Sequence, residues 1–208
     1  VWFGWLENLV SFHKINYEGL ELSMINKRSS ESSHLQSDLQ YYKSFMEWGM
    51  DGEANAFLEE VLLWLSENLP LNPNPKKLCW GDSRLGNVLF ENFQVKSLLD
   101  WEMATIGDPL CDLAWGLTTD DVSSHGLNIE KLPGSIANEE AIKFWEKNTG
   151  FSADNFFYYR ILCLFKFSVI MIRVAKKLIH NEIMPLDSDF HVNNHVSNYL
   201  RQEFNEKN

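Results

Sequence analysis

Between Leu78 and Leu99 the spacing of apolar residues changes, and that change limits what the chain can fold into. Val88-Leu89-Phe90 and Val95-Lys96-Ser97-Leu98-Leu99 read as two short strands joined by a turn around Asn92. Nearly everything else repeats at helical spacing. Trp2, Leu6, Leu9, Val10 and His13 fall on one face of a helix over 1–15, followed by a polar loop over 16–34. Leu35, Leu39, Tyr42, Phe45 and Met46 mark a second helix, which Gly49 can end. Ala54, Phe57, Leu58, Val61, Leu62 and Leu65 mark a third. The prolines Pro70, Pro73 and Pro75 stop that helix, in a segment too short to link domains. Asp108-Pro109 reads as a cap with proline at the first helical position, opening a helix through about Leu117. Further helices are expected over 138–148, with Gly150 beyond the end, over 154–180 and over 189–206. The expectation is an α+β fold, mainly α, forming a single domain over 1–208 with one β-hairpin set among helices.

Composition narrows the function. Lys and Arg total 18 against 29 Asp and Glu, a formal net charge of −11. A surface that tracks phosphates needs a basic excess, so nucleic acid is excluded as the expected partner. The three cysteines, Cys79, Cys111 and Cys163, each lie in apolar sequence and form neither a disulfide framework nor a zinc ribbon; a cytoplasmic, reducing setting fits them. Residues 1–12 lack the basic leader and small-residue site of a signal peptide. The longest apolar stretch, 161–172, is interrupted by Lys166 and too short to span a bilayer, so it reads as a buried helix and no membrane partner is expected.

The chemistry-bearing residues gather around the hairpin. The run is Cys79-Trp80-Gly81-Asp82-Ser83-Arg84-Leu85-Gly86-Asn87-Val88-Leu89-Phe90, and later Leu98-Leu99-Asp100-Trp101-Glu102. Phosphoryl transfer from ATP to a hydroxyl needs a carboxylate to orient the hydroxyl and accept its proton. It also needs oxygen ligands for Mg²⁺ and a cation facing the moving phosphoryl group. A kinase catalytic loop supplies an Asp and, five residues later, a metal-reaching Asn, and Asp82 and Asn87 have that spacing. Arg84 stands two residues after the Asp, where a phosphate-facing cation belongs. Asp100 ends an apolar strand, where a hairpin returns a second hard oxygen ligand to the same site.

This stretch resembles the aminoglycoside phosphotransferase family in its broad sense, which includes choline and homoserine kinases and the kinase-like domains fused to some acyl-CoA dehydrogenases. The family's usual signature is His-Gly-Asp-x-x-x-x-Asn, an apolar strand ending Asp-Trp-Glu, then Gly-Asp-Pro-x-x-Asp-Leu-Ala. Here the last two stand as Leu99-Asp100-Trp101-Glu102 and Gly107-Asp108-Pro109-Leu110-Cys111-Asp112-Leu113-Ala114, most like the acyl-CoA-dehydrogenase-associated branch. The resemblance implies the C-terminal lobe of a protein-kinase-like fold, with ATP as co-substrate and Mg²⁺ as cofactor. It implies Asp82 as catalytic base with Arg84 beside it, Asn87 and Asp100 as metal ligands, and Asp112 as a brace of the catalytic loop. Glu102 is left between a contact behind the metal and a salt bridge.

Two departures stand out. Trp80 replaces the family's usual His, putting a stacking indole where an imidazole braces the backbone. The glycines form no phosphate-binding loop, neither G-x-G-x-x-G nor a Walker A pattern, and nothing before residue 80 reads as a nucleotide-covering lobe. With a helix pattern already running at Val1, the chain reads as a fragment whose adenine and phosphate-loop contacts lie elsewhere, silent on its own. The rival expectations are a catalytically inactive binding or regulatory module and a metal-assisted hydrolase using Asp82 and Asp100. Lesser signals are a possible zinc pair, His191 and His195, an aromatic run over 156–159 that suits core packing, and Asp120-Asp121, which read as a solvated loop. The phosphoryl acceptor and the oligomeric state are not legible.

Overall fold

The computed structural model describes residues 1–22, 25 and 34–206. In chain order its helices are α1 (Trp2–His13), α2 (His34–Met50), α3 (Ala56–Glu67), α4 (Leu110–Ser124), α5 (Asn138–Thr149), α6 (Phe156–His180) and α7 (His195–Asn205). The strands are β1 (Lys77–Cys79), β2 (Val88–Glu91), β3 (Gln94–Leu98) and β4 (Thr105–Gly107). Of the polar loop expected over 16–34, the part beyond residue 22 lies outside the described residues, apart from Ile25 and His34. The chain divides into two compact units, Val1–Ser29 with Pro70–Arg160, and Ser30–Leu69 with Ile161–Asn208.

The first unit holds α1, all four strands, α4 and α5. The expected hairpin is β2 paired antiparallel with β3, Val88 opposite Leu98 and Glu91 opposite Gln94. Asn92 and Phe93 both take left-handed backbone (φ 51° and 61°), the pattern of a tight hairpin turn. A second antiparallel pair, β1 with β4, joins Leu78 to Ile106; it was not expected, because three-residue strands carry too little alternation to read. Trp5, Leu6 and Leu9 of α1, Leu110, Leu113 and Leu117 of α4, and Trp145 of α5 are all at 1% exposure or less. Helix α4 begins at Leu110 with Pro109 at its N-cap, one residue later than expected; Asp108 just before it accepts the Leu110 amide on Oδ1, while its Oδ2 accepts the Asn74 amide and the Tyr159 hydroxyl. That fastens the proline segment and the aromatic run to the start of α4. Tyr158 and Tyr159 are accordingly buried core.

Three further expectations about element ends are corrected. Gly49 does not end α2 but lies inside it, where a side chain would crowd Ile172 and Arg173; the chain leaves the helix through Asp51 and Gly52, both at positive φ. The last helix begins at His195, not near 189, because Asn194 caps it by accepting the Val196 and Ser197 amides. His191 is therefore off the helix, the i, i+4 pairing with His195 is lost, and its Nε2 lies 3.4 Å from Glu53. The third concerns α4, which runs past Leu117 to Ser124 and carries Asp120 and Asp121 within it.

Asp121 is not in a solvated loop: it is 2% exposed. Its carboxylate meets Lys131 Nζ at 2.6 Å, the Arg160 guanidinium at 2.6 Å and the Asn138 amide at 2.8 Å, and Lys131 also reaches Asp120 at 2.8 Å. Burial alone would raise the Asp121 carboxyl, but Arg160 and Lys131 outweigh it and hold it below the ordinary carboxylate range.

The second unit is built on α2, α3, the main part of α6 and α7. Val61, Leu65, Phe165, Val169, Ile172 and Leu200 are fully buried there. Lys166, which interrupts the apolar run, is 5% exposed, with its ammonium 3.5 Å from Asp38 and over the Tyr42 ring. Among the described residues no helix is long and apolar enough to cross a membrane.

A depressed Asp121 stabilises the fold above its unfolded value near pH 4, and that contribution is lost as pH falls through the folded value. Asp121→Asn is expected to cost about 3 kcal/mol at pH 7, since it removes the buried charge opposite Arg160 and one of the two carboxylates on Lys131. It should also flatten the acid limb of stability against pH. Urea unfolding of both proteins between pH 2 and 7 measures this.

Candidate active site

The sequence Trp80–Asn87 leaves β1 and cannot continue as strand, because Gly81 adopts φ 91° and a Cβ there would overlap the Met103 backbone. The chain turns instead into a short 3₁₀ turn over Leu85–Asn87 and enters β2. This turn presents Asp82, 9% exposed, with all its carboxylate oxygens engaged. Oδ1 accepts the Trp115 indole N–H at 2.6 Å. Oδ2 accepts the Asn87 amide at 2.6 Å and lies 3.2 Å from Arg84 Nε. A carboxylate gripped from both sides has its direction set before any ligand arrives.

Asn87, 3% exposed, donates its Nδ2 to Asp82, to the backbone carbonyl as well as the carboxylate, and its Oδ1 accepts no hydrogen bond among the described residues. Its own carbonyl accepts the Leu99 amide at 2.8 Å. That bond brings the end of β3 beside Asn87, and Asp100 follows directly, exposed and at φ 57°, a left-handed conformation Asp tolerates. Asp100 and Asn87 thus share one end of the hairpin. Glu102 is exposed and makes no salt bridge among the described residues. Arg84 lies folded on Asp82, its side chain about half exposed.

Asp112, on the first turn of α4, is 1% exposed. It accepts the Trp80 amide at 2.6 Å and the Gly81 amide at 2.8 Å, and its backbone carbonyl accepts the Ser83 hydroxyl at 2.6 Å. Trp80 does more than stack. Its indole N–H donates to the Leu99 carbonyl at 2.7 Å, so it keeps a backbone-bracing hydrogen bond and ties the catalytic turn to the strand before Asp100.

Two indoles that motif reading passed over complete the frame. Trp115 touches Asp82 directly, and Trp5 Nε1 donates to the Ser83 carbonyl at 2.8 Å. The signal available was the high tryptophan count, eight in 208 residues; burial of a ring whose N–H must find an acceptor is a structural clue in itself. With Trp80, Trp101 and Trp145, five of the eight donate within this unit. Beside Leu85 a cavity of about 740 Å³ opens, lined by Trp2, Asp120, Ile129, Lys131 and Leu132 among others.

A fixed carboxylate, a neighbouring amide oxygen and exposed carboxylate, and a guanidinium in reach are parts that phosphoryl-transfer chemistry requires. Residues 2–140 match the family model described as the phosphotransferase enzyme family, and the chain belongs to that family. Within it, the chain is 28% identical over 181 residues to acyl-CoA dehydrogenase family member 11 of Pongo abelii, a match that covers 79% of this chain and 22% of that protein. The chain therefore spans about a fifth of that relative's length. Among solved structures it is similar to one from Ralstonia eutropha assigned as an aminoglycoside phosphotransferase, with a TM-score of 0.74, 17% identity, and 97% of this chain and 61% of that one covered. Choline kinase from Cryptosporidium parvum aligns with a TM-score of 0.54 and 11% identity, covering 91% of this chain and 69% of that one. These likenesses establish the protein-kinase-like fold, α+β and mainly α.

Close approach makes one glycine of α4 a sensitive position. A Cβ at Gly116 would overlap the Trp5 ring and press on the Ser83 carbonyl oxygen. Gly116→Ala is expected to destabilise the chain by about 1–3 kcal/mol, although alanine favours a helix. A lowered urea midpoint, with loss of Trp5 protection in indole hydrogen exchange, would show it.

Proposed function

We propose that this chain is the helical lobe, residues 1–208, of an ATP- and Mg²⁺-dependent phosphotransferase that transfers the γ-phosphoryl group of ATP to a hydroxyl of a small molecule. The observation that carries this reading is the doubly held Asp82 carboxylate beside an Asn87 whose Oδ1 is left without a hydrogen bond among the described residues. Asp82 orients the acceptor hydroxyl and takes its proton; Arg84, half exposed, leaves Asp82 to face the phosphoryl oxygens. Asn87 and Asp100 hold Mg²⁺, which when bound offsets charge on the phosphates. Both are hard oxygen donors, and one or two protein ligands completed by phosphate and water is the usual magnesium arrangement. Asp112 braces the turn, and Glu102 stands behind the metal.

The acceptor enters through the cavity beside Leu85. Its lining by Trp2, Ile129 and Leu132 suits an acceptor with an apolar body. A polycation finds less there, because Asp120 is already paired with Lys131. The remaining contacts to ATP come from a second lobe packed on the hairpin. Leu89, Phe93, Leu99 and Trp101 are all at least 40% exposed on or beside it, which supports that reading. The three cysteines form no disulfide, as suits a cytoplasmic enzyme.

Two measurements test this. With Mn²⁺ replacing Mg²⁺ in the presence of ATP, paramagnetic broadening should reach the Asn87 side-chain amide in this chain and disappear in Asp100→Ala; broadening centred elsewhere defeats the metal assignment. In the chain joined to its upstream lobe, Asp82→Asn should lower kcat by about 10²-fold or more with little change in nucleotide affinity. Undiminished turnover would remove Asp82 as the base.

A further inference from the structure

His13 lies at the C-terminal end of α1, fully buried, and no part of the transfer reading uses it. Its two ring nitrogens face two different partners. Nδ1 stands 3.0 Å from the indole Nε1 of Trp145 on α5, and Nε2 stands 3.1 Å from Asp112 Oδ2 on α4. An indole nitrogen can only donate, so Nδ1 must be the accepting, unprotonated nitrogen. The proton then sits on Nε2 and is donated to Asp112. The same Asp112 oxygen takes the Trp80 amide, and its other oxygen takes the Gly81 amide.

We propose that His13 is a positioning residue for phosphoryl transfer: Trp145 locks it as the Nε2–H tautomer, and it supplies the third hydrogen bond that orients Asp112 under the turn carrying Asp82. Three donors converge on one buried carboxylate, from α1 and from two consecutive backbone amides. With the opposite tautomer the Nε2 lone pair would face the carboxylate lone pairs, and Asp112 would be pushed off the Trp80 and Gly81 amides. The direction in which the proposed base points is thus set by an indole two hydrogen-bond steps behind Asp112. As a role in transfer this rests on the function proposed above; as a tautomer and a hydrogen-bond chain it does not.

The experiment separates the two. In the ¹⁵N-histidine-labelled chain of 208 residues, long-range ¹H–¹⁵N spectra should show the His13 Nδ1 in the unprotonated range and Nε2 in the protonated range. Trp145→Phe, which keeps the ring and removes the donor, should release the lock and give mixed tautomers. A proton on Nδ1 in the native chain, or an unchanged spectrum in Trp145→Phe, overturns the proposal whatever the chain catalyses. Amide exchange gives the second arm. His13→Leu should speed exchange at Trp80 and Gly81 by about tenfold and leave the amides of α7 untouched, while His13→Gln, which offers a donor at similar reach, should restore most of the protection. Equal exchange in all three chains overturns it.

The third arm is phosphotransfer by the chain joined to its upstream lobe. There His13→Leu should lower kcat about tenfold with KM for ATP unchanged, and His13→Gln should recover it. A change in KM alone would count against positioning. Absence of transfer in the native joined protein would refute the proposed function and leave the first two arms standing.

Discussion

One buried charge organises the Asp82 turn of this chain. Asp112 is 1% exposed, and a carboxylate so placed must be satisfied by hydrogen bonds or be driven neutral. It is satisfied by the two amides that precede Asp82, and those amides have no strand partner because Gly81 has turned the chain out of β1. Each side meets the other's need: the carboxylate gains donors, and a loop that leaves its sheet gains acceptors. The helix contributes as well, since Asp112 sits on the first turn of α4, where its charge is favoured by the helix dipole. Pro109 at the N-cap and the Asp108 carboxylate on the Leu110 amide fix where that turn begins, and so fix the height of Asp112 against the loop.

The same economy of partners runs through the site. Asn87 shows it best. One amide nitrogen steadies Asp82 while the backbone carbonyl of the same residue receives the Leu99 amide, so a single residue holds Asp82 and the end of β3 in register. The hairpin is thereby more than a connector. Its tight turn at Asn92-Phe93, together with the one-residue register shift between Phe90 and Leu89, sets the pairing of Val88 with Leu98, and that register decides which residue emerges next to Asn87. Lengthening the turn by one residue would bring a neighbour of Asp100 there instead and reverse the faces of β3.

Much of this was legible in the sequence, for reasons that are themselves physical. Helices α1, α3 and α5 carry unbroken apolar stripes, and Gly150 ends α5 in the left-handed conformation its position suggested. The hairpin was legible because apolar runs of strand length flank a turn residue. What escaped depended on partners distant in sequence. Asp120 and Asp121 look solvated until Lys131 and Arg160 arrive from 10 and 39 residues away, and only then can α4 continue to Ser124. The β1–β4 pair is too short to show a period. The role of Trp80 was only half visible: stacking can be read from an aromatic residue type, but the acceptor for its N–H, the Leu99 carbonyl, is known only once β3 has folded back.

The indoles that donate to this site have an optical consequence. Six of the eight tryptophans sit in the unit that carries the Asp82 turn, and five of them have their N–H anchored to a carbonyl, a carboxylate or an imidazole. Near-ultraviolet light absorbed by the chain is therefore collected largely around Asp82. Trp80 and Trp101, with ring centres 5.7 Å apart, are close enough to share the excitation, and carboxylate and imidazole neighbours modulate emission. The chain's intrinsic fluorescence is thus weighted towards the geometry around Asp82, and needs no attached dye to follow that turn.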